Sequence, residues 1–190
     1  MRKHENRNQS AAFLLAGTLL IQIAAGAPQV PPVKPDEGAF KEFTQRVEQY
    51  VKLHKSSPRL RTTKHNKEIA ERRDALARKI RQARSTAKQG DIFSPEIANE
   101  FRRVIQSTLK GPKGPNVRKT IRQGEPVASW HLSVNGDYPE HLPRTTIPPT
   151  LLLSLPQLPA GLGYRIIGND FVLQDSDARL IVDFIPGALP

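Results

Sequence analysis

The sequence predicts an α+β protein in which three N-terminal helices precede a small antiparallel sheet that ends in a three-stranded meander. Apolar residues recur at helical spacing between residues 37 and 110, which indicates amphipathic helices. Apolar residues then cluster in short runs between residues 164 and 185, around two turn signals, which is typical of strands. The Pro- and Gly-rich segment 110–116 separates the two patterns and predicts a flexible boundary between them.

The first 26 residues have the features of a secretory signal peptide. A basic start is followed by an apolar run at residues 11–23 and then by small residues. That run is shorter than the ~20 apolar residues that a membrane span needs. We therefore predict a signal peptide at residues 1–26, export to the periplasm or the medium of a bacterium, and no transmembrane span after cleavage. An uncleaved anchor is the alternative.

A proline-rich spacer, residues 27–36, leads into the helical region, residues 37–110. Asp36 is the predicted N-cap of a first helix that runs from Glu37 to about Lys55. A second helix is predicted from about Thr63 to Gln89, with Gly90 as its C-cap. The third is predicted from Pro95 to about Leu109, with Ser94 as N-cap and the proline in the first turn, where it loses no hydrogen bond.

The C-terminal region, residues 117–190, is predicted to be a small α+β unit that closes with the meander. Residues 117–122 could form one or two helical turns, and residues 127–134 fit a strand that ends at the Asn135-Gly136 turn. A short helix is predicted at residues 151–155, after a pair of prolines.

Two turns set the predicted register of the meander. Gly168-Asn169 pairs Ile167 with Asp170 and Tyr164 with Leu173. A second turn at Ser176-Asp177 pairs Leu173 with Leu180, Phe171 with Val182, and Asp170 with Asp183. One face then carries only apolar side chains and must be buried, since a one-residue slip would expose them all: Tyr164, Ile166, Phe171, Leu173, Leu180, Val182 and Phe184. The other face is half apolar and is predicted to be partly covered or to meet a partner.

On this register two carboxylates lie directly opposite each other, which is unfavourable in a sheet. Solvent, nearby Arg165, a bulge or a bound cation could relieve the repulsion between Asp170 and Asp183. A cation site at this pair is therefore one hypothesis. Asp175 and Asp177 are predicted to be turn residues.

The chain is strongly basic and lacks cysteine. Its 29 Lys and Arg outnumber 18 Asp and Glu, which gives a formal net charge of +11. Loss of residues 1–26 would leave 26 basic and 17 acidic residues, so the mature protein would stay basic at +9. This balance favours an anionic partner, and export argues against nucleic acid. The predicted partners are an anionic envelope polymer, a lipid surface or an acidic protein.

The second predicted helix concentrates this charge. The acidic residues of this helix are too few to neutralise its positive charge. Its basic side chains are therefore the predicted anion-binding surface: Arg72, Arg73, Arg78, Lys79, Arg81 and Arg84. A merely solvated charged face is the alternative.

Two histidines could approach each other if Asn135-Gly136 reverses the chain. His131 and His141, with Asp137 and Glu140 nearby, could then hold a transition metal. The spacing is not that of a tight ligand pair, and surface histidines are the alternative.

Catalytic motifs are missing from the sequence, and no cofactor is indicated. It contains no G-x-S-x-G, H-E-x-x-H, P-loop or G-x-G-x-x-G pattern. We therefore predict a non-catalytic binding or interaction protein. A metal-binding protein or enzyme that uses the His131–His141 region and a structural subunit of an envelope complex are the alternatives.

Three stretches together resemble an uncharacterised family of exported bacterial proteins that is common in acidobacterial-type genomes. They are AKQGDIFSPEI at Ala87–Ile97, VNGDYPEHLP with IPPTLLLSLPQLP at Val134–Pro159, and GYRIIGNDFVLQDSDARLIVDFIPGALP at Gly163–Pro190. The resemblance implies a periplasmic or secreted protein and carries no catalytic or binding residues.

Overall fold

A computed structural model describes residues 35–55, 66–122, 131–139 and 147–189. In chain order these residues form helices and strands with the following bounds: α1 (Glu37–Lys55), α2 (Asn66–Ala83), α3 (Pro95–Lys110), α4 (Gly114–Arg122), α5 (Pro149–Leu152), β1 (Leu162–Ile167), β2 (Asp170–Asp175) and β3 (Leu180–Ile185). The predicted α+β class is confirmed. The predicted signal peptide, most of the spacer, residues 127–130 and His141 lie outside the described residues.

The predicted caps of α1 and α3 are confirmed. Asp36 Oδ1 accepts from the Gly38 N–H at 2.8 Å, and Ser94 Oγ accepts from the Ile97 N–H at 3.5 Å. Both caps satisfy N–H groups that a helix start leaves unpaired. Each helix begins where the sequence predicts, since the cap residue is local to the element it starts.

Helix α2 ends at Ala83, six residues before the predicted end at Gln89. The chain turns instead through residues 84–93, and Gly90 adopts φ +96° inside that turn. The Gly90 N–H donates to Asp183 Oδ1 of β3 at 3.0 Å. A long-range hydrogen bond therefore stabilises the turn at a place where helical propensity alone would have continued the helix.

The predicted flexible segment 110–116 is in part a helix, because α4 begins at Gly114. A Cβ at Gly114 would lie 2.0 Å from the Leu109 carbonyl oxygen, so only glycine allows this close approach to the end of α3. Val117 of α4 is buried, and α4 packs against α3. Close packing thus replaces the expected boundary loop.

Strand β2 pairs antiparallel with both β1 and β3. The register of the first hairpin is confirmed, with Ile167 opposite Asp170 and Tyr164 opposite Leu173. The predicted register of the second hairpin is wrong. Its pairs are Asp175 with Leu180, Gln174 with Ile181, Leu173 with Asp183, Val172 with Phe184 and Phe171 with Ile185.

Two differences from the prediction cause the shift. The β2–β3 turn spans residues 176–179 rather than two residues, which places Asp175 opposite Leu180, and β3 then forms a bulge in which it uses two residues where β2 uses one. Val182 is the extra residue, between the pairs that Ile181 and Asp183 make. The bulge moves Ile185 onto the face that packs on the helices and Phe184 onto the opposite face. Six of the seven residues predicted for the buried face lie in the main core, and Phe184 does not.

The main core joins helices and sheet, with a group of stacked and tilted aromatic rings at its centre. Phe101 of α3 contacts the rings of Phe43, Phe93, Tyr164 and Phe171 at centroid distances of 4.9 to 6.0 Å. Phe101 is fully buried. The α1–α3 layer is therefore fixed against β1 and β2, which positions the sites below.

Segment 131–139 covers the other face of the sheet. Tyr138 packs with Ile167, Val172 and Ile181 in a second apolar cluster. Residues 131–134 do not form the predicted strand; Asn135 adopts φ 61° in a turn, and Asp137 bridges to Leu180. The Asn-Gly turn is confirmed, but it lays the chain along the edge of β3.

Helix α5 begins at Pro149, two residues before the predicted start, and ends at Leu152 rather than Leu155. The proline occupies the first turn, where its missing N–H costs nothing. Leu151 is fully buried, and the chain then passes the start of β1.

None of the helices within the described ranges is long and apolar enough to cross a membrane.

Candidate functional sites

Asp183 is fully buried and anchors the turn that precedes α3. Oδ2 accepts from the backbone N–H groups of Ile92 and Phe93 at 2.7 and 2.8 Å, while Oδ1 accepts from Gly90 and Phe184. The bulge turns this side chain toward the helices. Four donors satisfy the carboxylate, so it acts as an acceptor for backbone groups that would otherwise be buried unpaired.

The predicted pairing of Asp170 with Asp183 is wrong. Asp183 lies opposite Leu173, whereas Asp170 pairs with Ile167 and its Oδ1 accepts from the Gly187 N–H at 2.8 Å. The two carboxylates bind different backbone groups on different rows. The repulsion that motivated a cation site therefore does not arise.

A second buried carboxylate joins helix α1 to the β2–β3 turn. Asp175 Oδ2 accepts from Tyr50 Oη at 2.6 Å and lies 2.6 Å from His54 Nε2. Its Oδ1 accepts from the N–H groups of Asp177 and Ala178, as expected for an aspartate in a turn. The turn role of Asp175 is confirmed, but its link to α1 was not predicted.

The sequence offered one signal for this link. Tyr50 and His54 are four residues apart on the predicted inner face of the first helix, so their polar ends need a buried partner. Since Asp175 follows them by more than 120 residues, spacing could not identify it.

Arg84 closes the other side of this cluster. Its guanidinium carbon lies 5.1 Å from the centre of the Tyr50 ring, and its Nη1 donates to the Val182 carbonyl at 3.1 Å and to Asn135 Oδ1 at 3.2 Å. Burial lowers the pKa of Arg84, with Tyr50 and then Asp183 opposing that shift. Burial raises the pKa of Tyr50, which stays a neutral donor to Asp175.

Asp175 has no acceptor capacity left for a substrate, because four donors already use its two oxygens. The cluster can instead hold or release a proton at His54. The hydrogen bond with Asp175 raises the pKa of His54 above its usual 6.5, burial opposes this, and the charges of Asp175 and Asp177 support it. The protonated ring is therefore the form that the fold favours.

Stability is expected to fall as pH rises through the raised pKa of His54. A group whose pKa is higher in the folded state stabilises fully below its unfolded value of about 6.5, and the contribution disappears above the folded value. Urea unfolding followed from about pH 6 to about pH 9 measures this decline. The His54→Gln variant should show a flatter profile over that window. Equal slopes for the two proteins would contradict the assignment to His54.

The six basic residues predicted as an anion-binding surface separate into two groups. Arg81 donates to the Asn135 carbonyl at 3.0 Å and to Asp137 at 2.7 Å. With Arg84, it holds segment 131–139 against the fold. The other four lie earlier in α2, where Arg78 is exposed, and Arg72, Arg73 and Lys79 are half-buried. Arg72 also lies 3.6 Å from Glu68.

His131 is exposed, and His141 lies outside the described residues, so a metal site at this pair of histidines stays a prediction. Within the described ranges, no group of three or more His, Cys, Asp or Glu side chains is arranged to hold a metal ion.

An apolar groove of about 840 Å³ lies beside β1. Its lining comes from Ile147, Leu152, Leu153 and residues 155–158, and from residues 162–165 of β1. Leu153 is 88% exposed and Leu152 is 49% exposed at this point. The sequence did not predict the groove, because the groove forms where the segment after α5 lies against β1, with the Tyr164 hydroxyl donating to the Pro156 carbonyl.

No protein-family model, curated protein or solved structure matches this chain.

Proposed function

We propose that this chain is a non-catalytic binding protein, exported to the bacterial periplasm or medium, that meets an anionic envelope component or an acidic protein through α2. The resemblance to exported bacterial proteins and the signal-like residues 1–26 support the location. The observation that carries the binding role is the charge of α2, which has six basic and three acidic side chains.

The basic residues have two different roles. Arg81 and Arg84 bind segment 131–139. The partner-binding role is assigned to Arg72, Arg73, Arg78 and Lys79, whose side chains are exposed or half-buried on α2. The buried carboxylates Asp175 and Asp183 are saturated by internal donors, which supports a binding role over a catalytic one.

Binding to anionic vesicles is expected to depend steeply on charge and salt. Each basic side chain near an anionic lipid surface contributes about 1 kcal/mol, and salt at about 1 M screens such contacts far more than about 0.1 M. Changing Arg72, Arg73, Arg78 and Lys79 to Gln should therefore weaken sedimentation with phosphatidylglycerol vesicles at least tenfold. High salt should have a similar effect on the unmodified protein.

A matched control changes four exposed lysines elsewhere to Gln: Lys41, Lys52, Lys113 and Lys119. It has the same net charge as the α2 variant and should keep most of the binding. An acidic polymer in place of vesicles tests the polymer class in the same way. Binding that ignores salt, or equal losses in the two variants, would overturn the role of α2.

A further inference from the structure

The groove beside β1 has the size and lining of a small-molecule site. Its volume of about 840 Å³ lies within the usual range of roughly 300–1,000 Å³ for such sites. The apolar part of the lining comes from the α5 segment and the start of β1: Ile147, Leu152, Leu153, Leu155, Leu158 and Leu162. Tyr164 closes the inner end, where its hydroxyl donates to the Pro156 carbonyl at 2.9 Å.

One cationic side chain lines this apolar groove. Arg165 folds back across Gly163, where a Cβ would lie 3.0 Å from the guanidinium Nη1. Its Nη1 donates to the Tyr164 carbonyl at 2.8 Å, while its buried Nε has no hydrogen-bond partner. Among the described residues, no carboxylate forms an ion pair with Arg165. Its positive charge is therefore not compensated within that part of the chain.

We propose that this groove binds one long-chain anionic amphiphile in monomeric form, with the acyl chain along the leucines and the carboxylate on Arg165. A guanidinium suits this role, because its planar donors match a carboxylate and its charge persists at all physiological pH values. The exposed Leu152 and Leu153 extend the apolar path to the surface, where a chain can enter.

A peptide strand fits the groove less well than an acyl chain. Strand addition would need the free backbone groups of β1, but the Tyr164 carbonyl is already bonded to Arg165. The site uses none of the α2 residues in the proposed anion-binding surface. Either proposal can therefore fail without the other.

The test is calorimetric titration of the full protein with palmitate, its methyl ester and butyrate. Palmitate should bind one to one, the ester should bind more weakly, and butyrate should not bind. Arg165→Gln should weaken palmitate binding about tenfold, the scale of one charge-assisted contact, and leave ester binding unchanged. Lys113→Gln, with the same charge change at an exposed site, should bind palmitate normally.

Leu153→Gln gives a second variant that does not disturb the core, since this side chain is 88% exposed. It should weaken palmitate and ester binding alike, and it keeps the proposal testable if Arg165→Gln fails to fold. The α2 variant should bind palmitate normally. No palmitate binding, equal binding of butyrate, tighter binding of a leucine-rich extended peptide, or a Leu153→Gln effect on vesicles alone would each overturn the proposal.

Discussion

Replacing Asp183 with alanine is expected to lower the free energy of unfolding by about 3–5 kcal/mol, the scale for removing one partner of a buried charged interaction. The side chain is fully buried and accepts from four backbone N–H groups, three of which belong to the turn between α2 and α3. Alanine would leave these donors without an acceptor, and each buried orphan costs about 1–3 kcal/mol. Urea unfolding monitored by circular dichroism measures the loss.

Asp170→Ala is the matched control, because it removes the same chemical group from the same sheet. This carboxylate accepts one exposed bond, from the Gly187 N–H. Its removal should cost about 0.5–1.5 kcal/mol, the usual net value of one hydrogen bond. Asp183→Asn should fall between the two, since one acceptor oxygen remains. Similar losses for Asp170→Ala and Asp183→Ala would show that Asp183 does not anchor the turn.

Replacing Asp175 with alanine is expected to cost about 3 kcal/mol or more, since it removes the acceptor of Tyr50, His54 and two backbone N–H groups at once. The same change removes the first cause of the raised pKa of His54. The decline of stability above about pH 6.5 should therefore shrink as well. Unfolding curves at about pH 6 and about pH 9 measure both effects.

Tyr50→Phe is the control for this second prediction. It removes only the phenol donor, and the aromatic ring keeps its place in the core. The loss should be about 1 kcal/mol, and the pH dependence from His54 should persist. If Asp175→Ala kept the full pH dependence, the carboxylate would not be what raises the pKa of His54.

The features that the sequence predicted correctly are local. Asp36 and Ser94 cap helices that begin one residue later, and Gly168-Asn169 sets the first hairpin, because each signal acts within a few residues of its effect. The alternation of apolar residues identified six of the seven core-facing residues, because successive side chains of a strand point to opposite faces of the sheet. These elements could be predicted without knowing which other segments of the chain pack against them.

The second hairpin was mispaired because the turn between β2 and β3 is longer than predicted and because β3 contains a bulge. The bulge at Val182 turns Asp183 toward N–H groups that lie about 90 residues earlier in the chain. The assumed two-residue turn at Ser176-Asp177, extended along regular strands, placed Asp183 opposite Asp170. A like-charge pair at that position was the sign that the assumed register was wrong.

The candidate sites were the least predictable part. The sequence identified basic residues in α2 but could not show that Arg81 and Arg84 bind segment 131–139 and β3. Basic residues on a helix have the same sequence pattern whether their side chains bind another molecule or a distant carbonyl group of the same chain. Only the packed fold distinguishes these cases.

By itself, the sequence determined the α+β class, the starts of α1 and α3, the first hairpin and the strongly basic character of the chain. Tertiary structure alone decided the end of α2, the bulge in β3, the Tyr50–His54–Asp175 cluster and the groove beside Arg165. The physical reason is the distance along the sequence over which each interaction acts. Caps, turns and alternation act between near neighbours, whereas buried carboxylates and grooves arise where segments far apart in the chain must satisfy each other's polar groups.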